Sequence, residues 1–347
     1  MVKGIFNLPR ALGQARDQFR MHIFNITLQS VGALLAIGLL GFLIIKRHII
    51  PENILEFLAV LAIEIALPCI VFANIITQFS PSSSISWWQY PLWWLVFSAI
   101  ALILSLVTMF VSAKATRREF AITLFFQNGL FFPFIIITGI FGTTNPYIAV
   151  LFIFIAFHPS LFFSTNHLFF KRGNSETEKS LKEGRPKSRM RLGRILNPVL
   201  ISTVIAASIK LFGAQRHLPT FILTVFQMLG GMSMPLLMLI LGGSLYVDFQ
   251  SKGPIYIKEV MKFILIKNII FPLAFITMLV FARPAYPVAL IMFLESAVPP
   301  ITGIPIQTQR HGGNSSITNQ FILASFVFSI LSIPLTFNLF TRYFPIP

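Results

Sequence analysis

Asn128 and Glu295 are polar residues in apolar surroundings, each five residues ahead of a proline: Asn128 before Pro133 and Glu295 before Pro300. A second proline pair keeps the same rhythm, with Pro68 lying 65 residues before Pro133 and Pro235 lying 65 before Pro300. Proline lacks an amide hydrogen and obstructs the carbonyl four residues earlier, so each position weakens a helix. Gly129 adds to this in Asn128-Gly129-Leu130-Phe131-Phe132-Pro133, and the stretch from Glu295 to Pro305 contains Ser296, Pro299, Pro300 and Gly303. Broken backbone at membrane depth is tolerated only where protein or a watery cavity supplies the missing partners. Half-helices meeting there offer amide hydrogens and a positive dipole end, which suits an anionic group. Asn128, Gly129, Pro133, Glu295, Ser296, Pro299 and Pro300 are therefore the candidate walls of a solute-binding site.

Charges away from the ends of the apolar runs are few: Glu64, Lys267 and Glu295, with His158 able to join them. A central charge costs about 2.5–3.5 kcal/mol on insertion scales, so such residues face a cavity or a partner. Lys267, five residues before Pro272, can pair with Glu295, attract an anionic solute, or do each in turn. Glu295 can instead carry a proton, and His158, ahead of Pro159, reads first as a helix-packing hydrogen bonder. None of the six histidines shows metal-ligand spacing. The lone Cys69 excludes an internal disulfide and a cysteine-rich metal site. Phosphate-binding glycine loops, nucleophile elbows and zinc-helix motifs are missing, so neither an enzyme, a cofactor nor a metal is expected.

The elements that must position these residues follow from composition. Of 347 residues, 55% are hydrophobic and only 11% charged, too little charge for a soluble surface. Apolar runs long enough to cross about 30 Å of hydrocarbon as helices recur down the chain. They fall at 24–45, 54–77, 90–111, 121–141, 147–170, 197–214, 218–246, 260–282, 286–308 and 317–340. The exception is a linker holding nine Lys/Arg and three Glu between Lys171 and Arg194. The organisation expected is a basic amino-terminal tail (1–20), a first repeat (21–170), a basic cytoplasmic linker (171–196) and a second repeat (197–347).

A net charge of +16 does not point to nucleic acid, because the basic residues cluster in loops between apolar runs. Such loops report orientation and contact with anionic lipid. Lys46, Arg47, Lys114, Arg117, Arg118, the linker, Lys252, Lys258 and Arg310 share one side, which is predicted to be cytoplasmic. Connections near 78–89 and 142–146 carry no Lys or Arg. Both termini then face the non-cytoplasmic side of the cell (inner) membrane. Lys3, Arg10, Arg16 and Arg20 disagree; either the tail is an interfacial basic helix or translation starts at Met21. Trp87, Trp88, Trp93 and Trp94, with Tyr90, read as an interfacial aromatic belt.

A shift of 167 residues superimposes the two halves, carrying Pro68 onto Pro235, Asn128 onto Glu295 and Pro133 onto Pro300. Five spans per half is an odd number, so the second half enters the membrane in the opposite sense. The predicted fold is an all-α membrane protein: ten transmembrane helices as two inverted five-helix repeats, with the fourth and ninth helices broken. The second and seventh spans look similarly interrupted at Pro68 and Pro235. Interrupted helices in corresponding positions of two halves are the best pointer to a transporter's binding site.

Over residues 22–345 the chain resembles the auxin efflux carrier family, which includes bacterial malonate and malate permease-like and plant carriers. The likeness rests on Leu67-Pro68-Cys69-Ile70-Val71-Phe72, Gln127-Asn128-Gly129 with Pro133, Met234-Pro235-Leu236-Leu237-Met238 with Gly242-Gly243, and Pro299-Pro300 through Pro305. Ala324-Ser325 and Ser332-Ile333-Pro334-Leu335 extend it. The resemblance implies helices crossing at Pro133 and Pro299 or Pro300, Asn128 beside the substrate, and elevator-like exchange of organic anions. Two departures stand out: Phe132 occupies a familiar glycine position, and Glu295 replaces a small or neutral residue. The function expected is a secondary transporter of a small organic anion, a dicarboxylate or an auxin-like weak acid. The alternatives are a sodium- or proton-coupled symporter of bile-acid-symporter type, with Glu64 and Glu295 binding the ion, and a non-transporting membrane sensor. Lipid, a proton or sodium ion, and a second copy forming a homodimer complete the candidate partners.

Overall fold

The computed structural model describes residues 8–80, 87–170, 197–250 and 254–347. The linker at 171–196 and the start of the tail, with Lys3, lie outside the described residues. Within them the secondary structure is helical apart from one isolated β-bridge. Six helices are long and apolar enough to cross a membrane: Arg20–Lys46, Ile54–Gln78, Gln89–Val111, Thr220–Val247, Ile257–Ala282 and Ser315–Tyr343. Four shorter apolar helices accompany them, Phe131–Phe141, Pro146–Phe162, Pro198–Leu211 and Tyr286–Ala297. Helices are the required form, since lipid offers no hydrogen bond to an open backbone.

In chain order the first half contains α1 (Leu8–Lys46), α2 (Ile54–Val60), α3 (Leu67–Gln78), α4 (Gln89–Thr108), α5 (Arg117–Phe125), α6 (Phe131–Phe141), α7 (Pro146–Phe154) and α8 (His158–Thr165). The second half contains α9 (Pro198–Leu211), α10 (Thr220–Gly231), α11 (Ser233–Gln250), α12 (Ile257–Ile264), α13 (Phe271–Ala282), α14 (Tyr286–Ala297), α15 (Ile304–Arg310) and α16 (Ser315–Tyr343). The basic tail is continuous with the first span from Leu8 onward, so no helix end marks residue 21.

Pro68 does not interrupt the second span as expected. Leu61–Ala66 winds as a π-helix, with Leu67 N–H reaching back to Ala62 O, and the chain continues into α3. The wider turn relieves the contact between proline and the preceding carbonyls. Leu265–Ile270 repeats the device before Pro272, with Phe271 N–H bonded to Ile266 O. The seventh span does break, briefly, at Met232 between α10 and α11. The aromatic belt also needs correcting. Trp88 is exposed, but Tyr90 and Trp94 are buried with Phe97, Ala101 and Ser105. Their spacing draws one face of α4 against the core.

Two groups of helices emerge. In one, α1 packs on α11 and α3 packs on α9 and α10. Glycines allow the approach: a Cβ on Gly242 would lie 1.7 Å from Gly38 O, and one on Gly230 would lie 2.7 Å from Ile70 Cα. In the other, α4, α5, α7, α12–α14 and α16 enclose an aromatic core in which Phe120 meets Phe263 and Phe321 edge to face. The groups meet where α1 packs on α6 and α16.

Candidate functional site

Between α5 and α6 the chain unwinds over 126–130, and between α14 and α15 it unwinds over 298–303. The two stretches run antiparallel against each other. Asn128 donates its backbone N–H to Pro299 O at 2.8 Å, and Ile301 donates to Phe126 O at 3.1 Å. These bonds frame the bridge between Gln127 and Pro300. The bridge asks no amide of Pro300 and takes only a carbonyl from Pro299, so both prolines fit. Each break supplies the partners that the other lost. Pro133 follows in the first turn of α6, where its missing amide costs nothing.

Gln127 fastens this crossing to its surroundings. Its Nε2 donates to Leu124 O and Phe125 O, at 2.9 and 3.2 Å, covering carbonyls orphaned at the end of α5. Its Oε1 accepts from Lys267 Nζ, which also donates to Ser296 O at 3.0 Å. The same ammonium lies 4.9 Å from the centre of the Phe271 ring. Lys267 is fully buried, and it ties both breaks to the eighth span. The π turn makes this placement feasible, because Ile266, Lys267 and Asn268 are buried in succession. Asn268 anchors that turn: its Nδ2 donates to Ser325 O and Ser332 Oγ, and its Oδ1 accepts from Ser325 Oγ.

Asn128 and Glu295 remain uncommitted. Asn128 Nδ2 and Glu295 Oε1 are buried without a hydrogen-bond partner, with Asn128 2% and Glu295 1% exposed. Glu295 is seated on Gly129, where a Cβ would lie 1.9 Å from Oε2. An unsatisfied buried polar group costs about 1–3 kcal/mol, which a ligand completing it restores. Two carboxylates at about 4 Å repel by about 4 kcal/mol at an effective dielectric constant of 20.

The other expected residues divide. Ser296 turns its hydroxyl back to Phe293 O at 2.6 Å and offers its carbonyl to Lys267. Lys267 sends its hydrogen bonds to Gln127 and Ser296 rather than to Glu295. His158, buried on α8, packs edge-on to Phe126 with 6.3 Å between ring centres, and its Nε2 has no partner. Glu64 is not brought to the crossing; it is exposed on the flank of the second span beside Ile63 and Ile65. Phe132, at the familiar glycine position, is buried edge-on to Phe326.

A cleft of about 640 Å³ runs between α3, α10 and the α6–α7 connection. Asn74, Thr77, Gln78, Thr143, Thr144 and Gln227 give it a polar, uncharged lining, and Phe134, next to Pro133, belongs to its wall. Gln78 Nε2 reaches from α3 to Thr143 O at 2.8 Å. On α11 and α15, between Ser244 and Pro305, the comparable gap is about 10 Å³, room for roughly one water. The sequence pattern did not single out Gln127 as the residue that fastens the crossing, nor the cleft residues. Asn74 and Gln78, one helical turn apart in an apolar helix, were the available signal.

A family model described as Membrane transport protein matches residues 26–337. No curated protein matches the chain.

Proposed function

The chain belongs to the membrane transport protein family, that of the auxin efflux carriers, and on that premise we propose that it is a secondary carrier of small organic anions. One observation carries the reading: two helix breaks pair with each other and leave Asn128 and Glu295 buried without complete partners. Ten spans in two inverted repeats bring the breaks together, and the substrate sits at their crossing. The leading amides of α6 open there with no side-chain cap, a suitable reception for a carboxylate. The helices around the crossing move as one body, elevator-like, against the layer built from α1, α3, α10 and α11. The uncharged cleft is the route in. It adjoins the 142–146 connection, on the side that the Lys and Arg distribution makes non-cytoplasmic. With the opposite gap closed, this conformation faces outward.

A second reading, a proton- or sodium-coupled symporter, is favoured by the carboxylate of Glu295 at the crossing. Glu64 lies apart and gives it no support.

The test is uptake of labelled malonate, malate and indole-3-acetate by the full chain in proteoliposomes. Asn128→Ala removes one hydrogen bond to a charged group, worth about 1.5–3 kcal/mol, so flux should fall by about ten- to a hundredfold. Membrane insertion and detergent-extracted yield should not change. Undiminished flux removes Asn128 from the site, and no flux for any probe in the unmodified chain leaves the sensor reading.

A further inference from the structure

Glu295 occupies the place from which a solute carboxylate would otherwise draw positive charge. Lys267 is the one ammonium at the crossing among the described residues, and it is held by Gln127 Oε1, Ser296 O and the Phe271 ring. The helices packed on α14 are α4, α6, α7, α13 and α16, together with the Leu265–Ile270 turn. Apart from Lys267 they carry no acidic, basic or histidine side chain except Arg342, exposed near the end of α16. The remaining titratable neighbours are His158, on α8 against Phe126, and the tyrosines Tyr90, Tyr147, Tyr286 and Tyr343 on α4, α7, α14 and α16. Glu295 and Lys267 thus already balance in charge, and a bare anion would leave this buried site negative. The crossing also holds an unpartnered donor, Asn128 Nδ2, on the stretch whose next residue, Gly129, carries Glu295 with its unpartnered acceptor Oε1. A group that accepts through one oxygen and donates through its neighbour satisfies both. A carboxyl carrying one proton is such a group.

We propose that the solute's carboxylate and Glu295 share a single proton at the crossing. The hydrogen lies between Glu295 Oε1 and one solute oxygen, while Asn128 Nδ2 donates to the other. Solute carboxylate, one aqueous proton and the Glu295 carboxylate combine into a hydrogen-bonded pair bearing one negative charge, which Lys267 offsets. Release on the far side returns solute and proton to water and leaves Glu295 as it began. One proton therefore accompanies each solute molecule carried. This rests on the carrier reading above and adds the coupling ion, its seat and the chemical group that the seat selects.

The experiment uses the full chain in vesicles enclosing a pH-reporting dye, with malonate, malate and indole-3-acetate as probes. Protein-free vesicles correct for passive entry of the acids. The lumen should acidify in step with solute entry, about one proton per solute, and apparent affinity should weaken by about tenfold per pH unit once the free groups are ionised. Glu295→Gln, which cannot bind the proton, should lose the pH-dependent uptake, and whatever carboxylate entry it retains should bring no acidification and show a flat pH profile. Should that variant fail to fold, acidification by the unmodified chain decides alone. Carboxylate entry without acidification overturns the shared proton and leaves the carrier standing. No entry of any probe overturns both.

Discussion

Lys267 touches both halves of the crossing through hydrogen bonds to Gln127 and Ser296, so its removal tests the pin itself. Lys267→Met leaves those acceptors unpaired and the Glu295 charge unbalanced in a buried site. Breaking a buried charge arrangement from one side costs about 3–5 kcal/mol, expected as earlier thermal unfolding in detergent. Adding Glu295→Leu to that variant should recover part of the loss, because no lone charge then remains; strictly additive losses would show that the two side chains do not interact. Gly129 gives a sharper steric test. Gly129→Ala sets a methyl 1.9 Å from Glu295 Oε2 and should depress flux by at least about tenfold, more than 1.4 kcal/mol. Glu295→Ser should relieve the associated loss of thermal stability. That Asn128 and Glu295 stand beside helix breaks was legible from their types and their spacing to proline. That Glu295 rests on Gly129 was not, since the contact joins residues from opposite halves of the chain.

Helix elements show the limit of reading proline as a breaker. Pro68 and Pro272 follow π turns that preserve a continuous span, whereas α5 and α14 end before the unwound stretches that contain or precede Pro133 and Pro300. All four are prolines in apolar runs; what differs is whether another backbone segment stands ready to receive freed hydrogen-bonding groups. At the crossing it does, and at Pro68 and Pro272 an i−5 bond takes over locally. Glycine packing sets the other constraint at this scale. Gly242→Val should lower thermal stability by about 2 kcal/mol or more, because a side chain collides with the Gly38 carbonyl. Gly231→Ala, with open space around it, is the matched control and should change little. Equal effects from both would mean that the α1–α11 approach is not close in the membrane.

For the whole molecule, the proposed carrier mechanism requires motion between the α1, α3, α10 and α11 layer and the group carrying the crossing. Gln78 on α3 contacts Thr143 on the α6–α7 connection, a bond between the two groups that the proposed motion would break and remake. Cysteines at Gln78 and Thr143, in a Cys69→Ser background and joined by a short bifunctional reagent, should stop flux; cleavage of a reducible linker should restore it. Flux that continues through the cross-link would locate the movement elsewhere. Glu64 belongs to this scale too. A carboxylate on the exposed flank of a span costs about 2.5–3.5 kcal/mol against lipid; like Glu295 it precedes a proline in an apolar run, and folding exposes the one and buries the other.

By itself the sequence determined the apolar runs, the positions of the weakened helix segments and the polar types stationed beside them. These depend on hydrophobic transfer and on proline and glycine chemistry, which act within a few residues. Tertiary structure decided which weakened segments open, which breaks pair, where Lys267 spends its hydrogen bonds, and that Glu295 rather than Glu64 comes to rest on Gly129 at the crossing. Those outcomes depend on satisfying backbone and charge across segments far apart in the chain, and no local pattern encodes which partner will arrive.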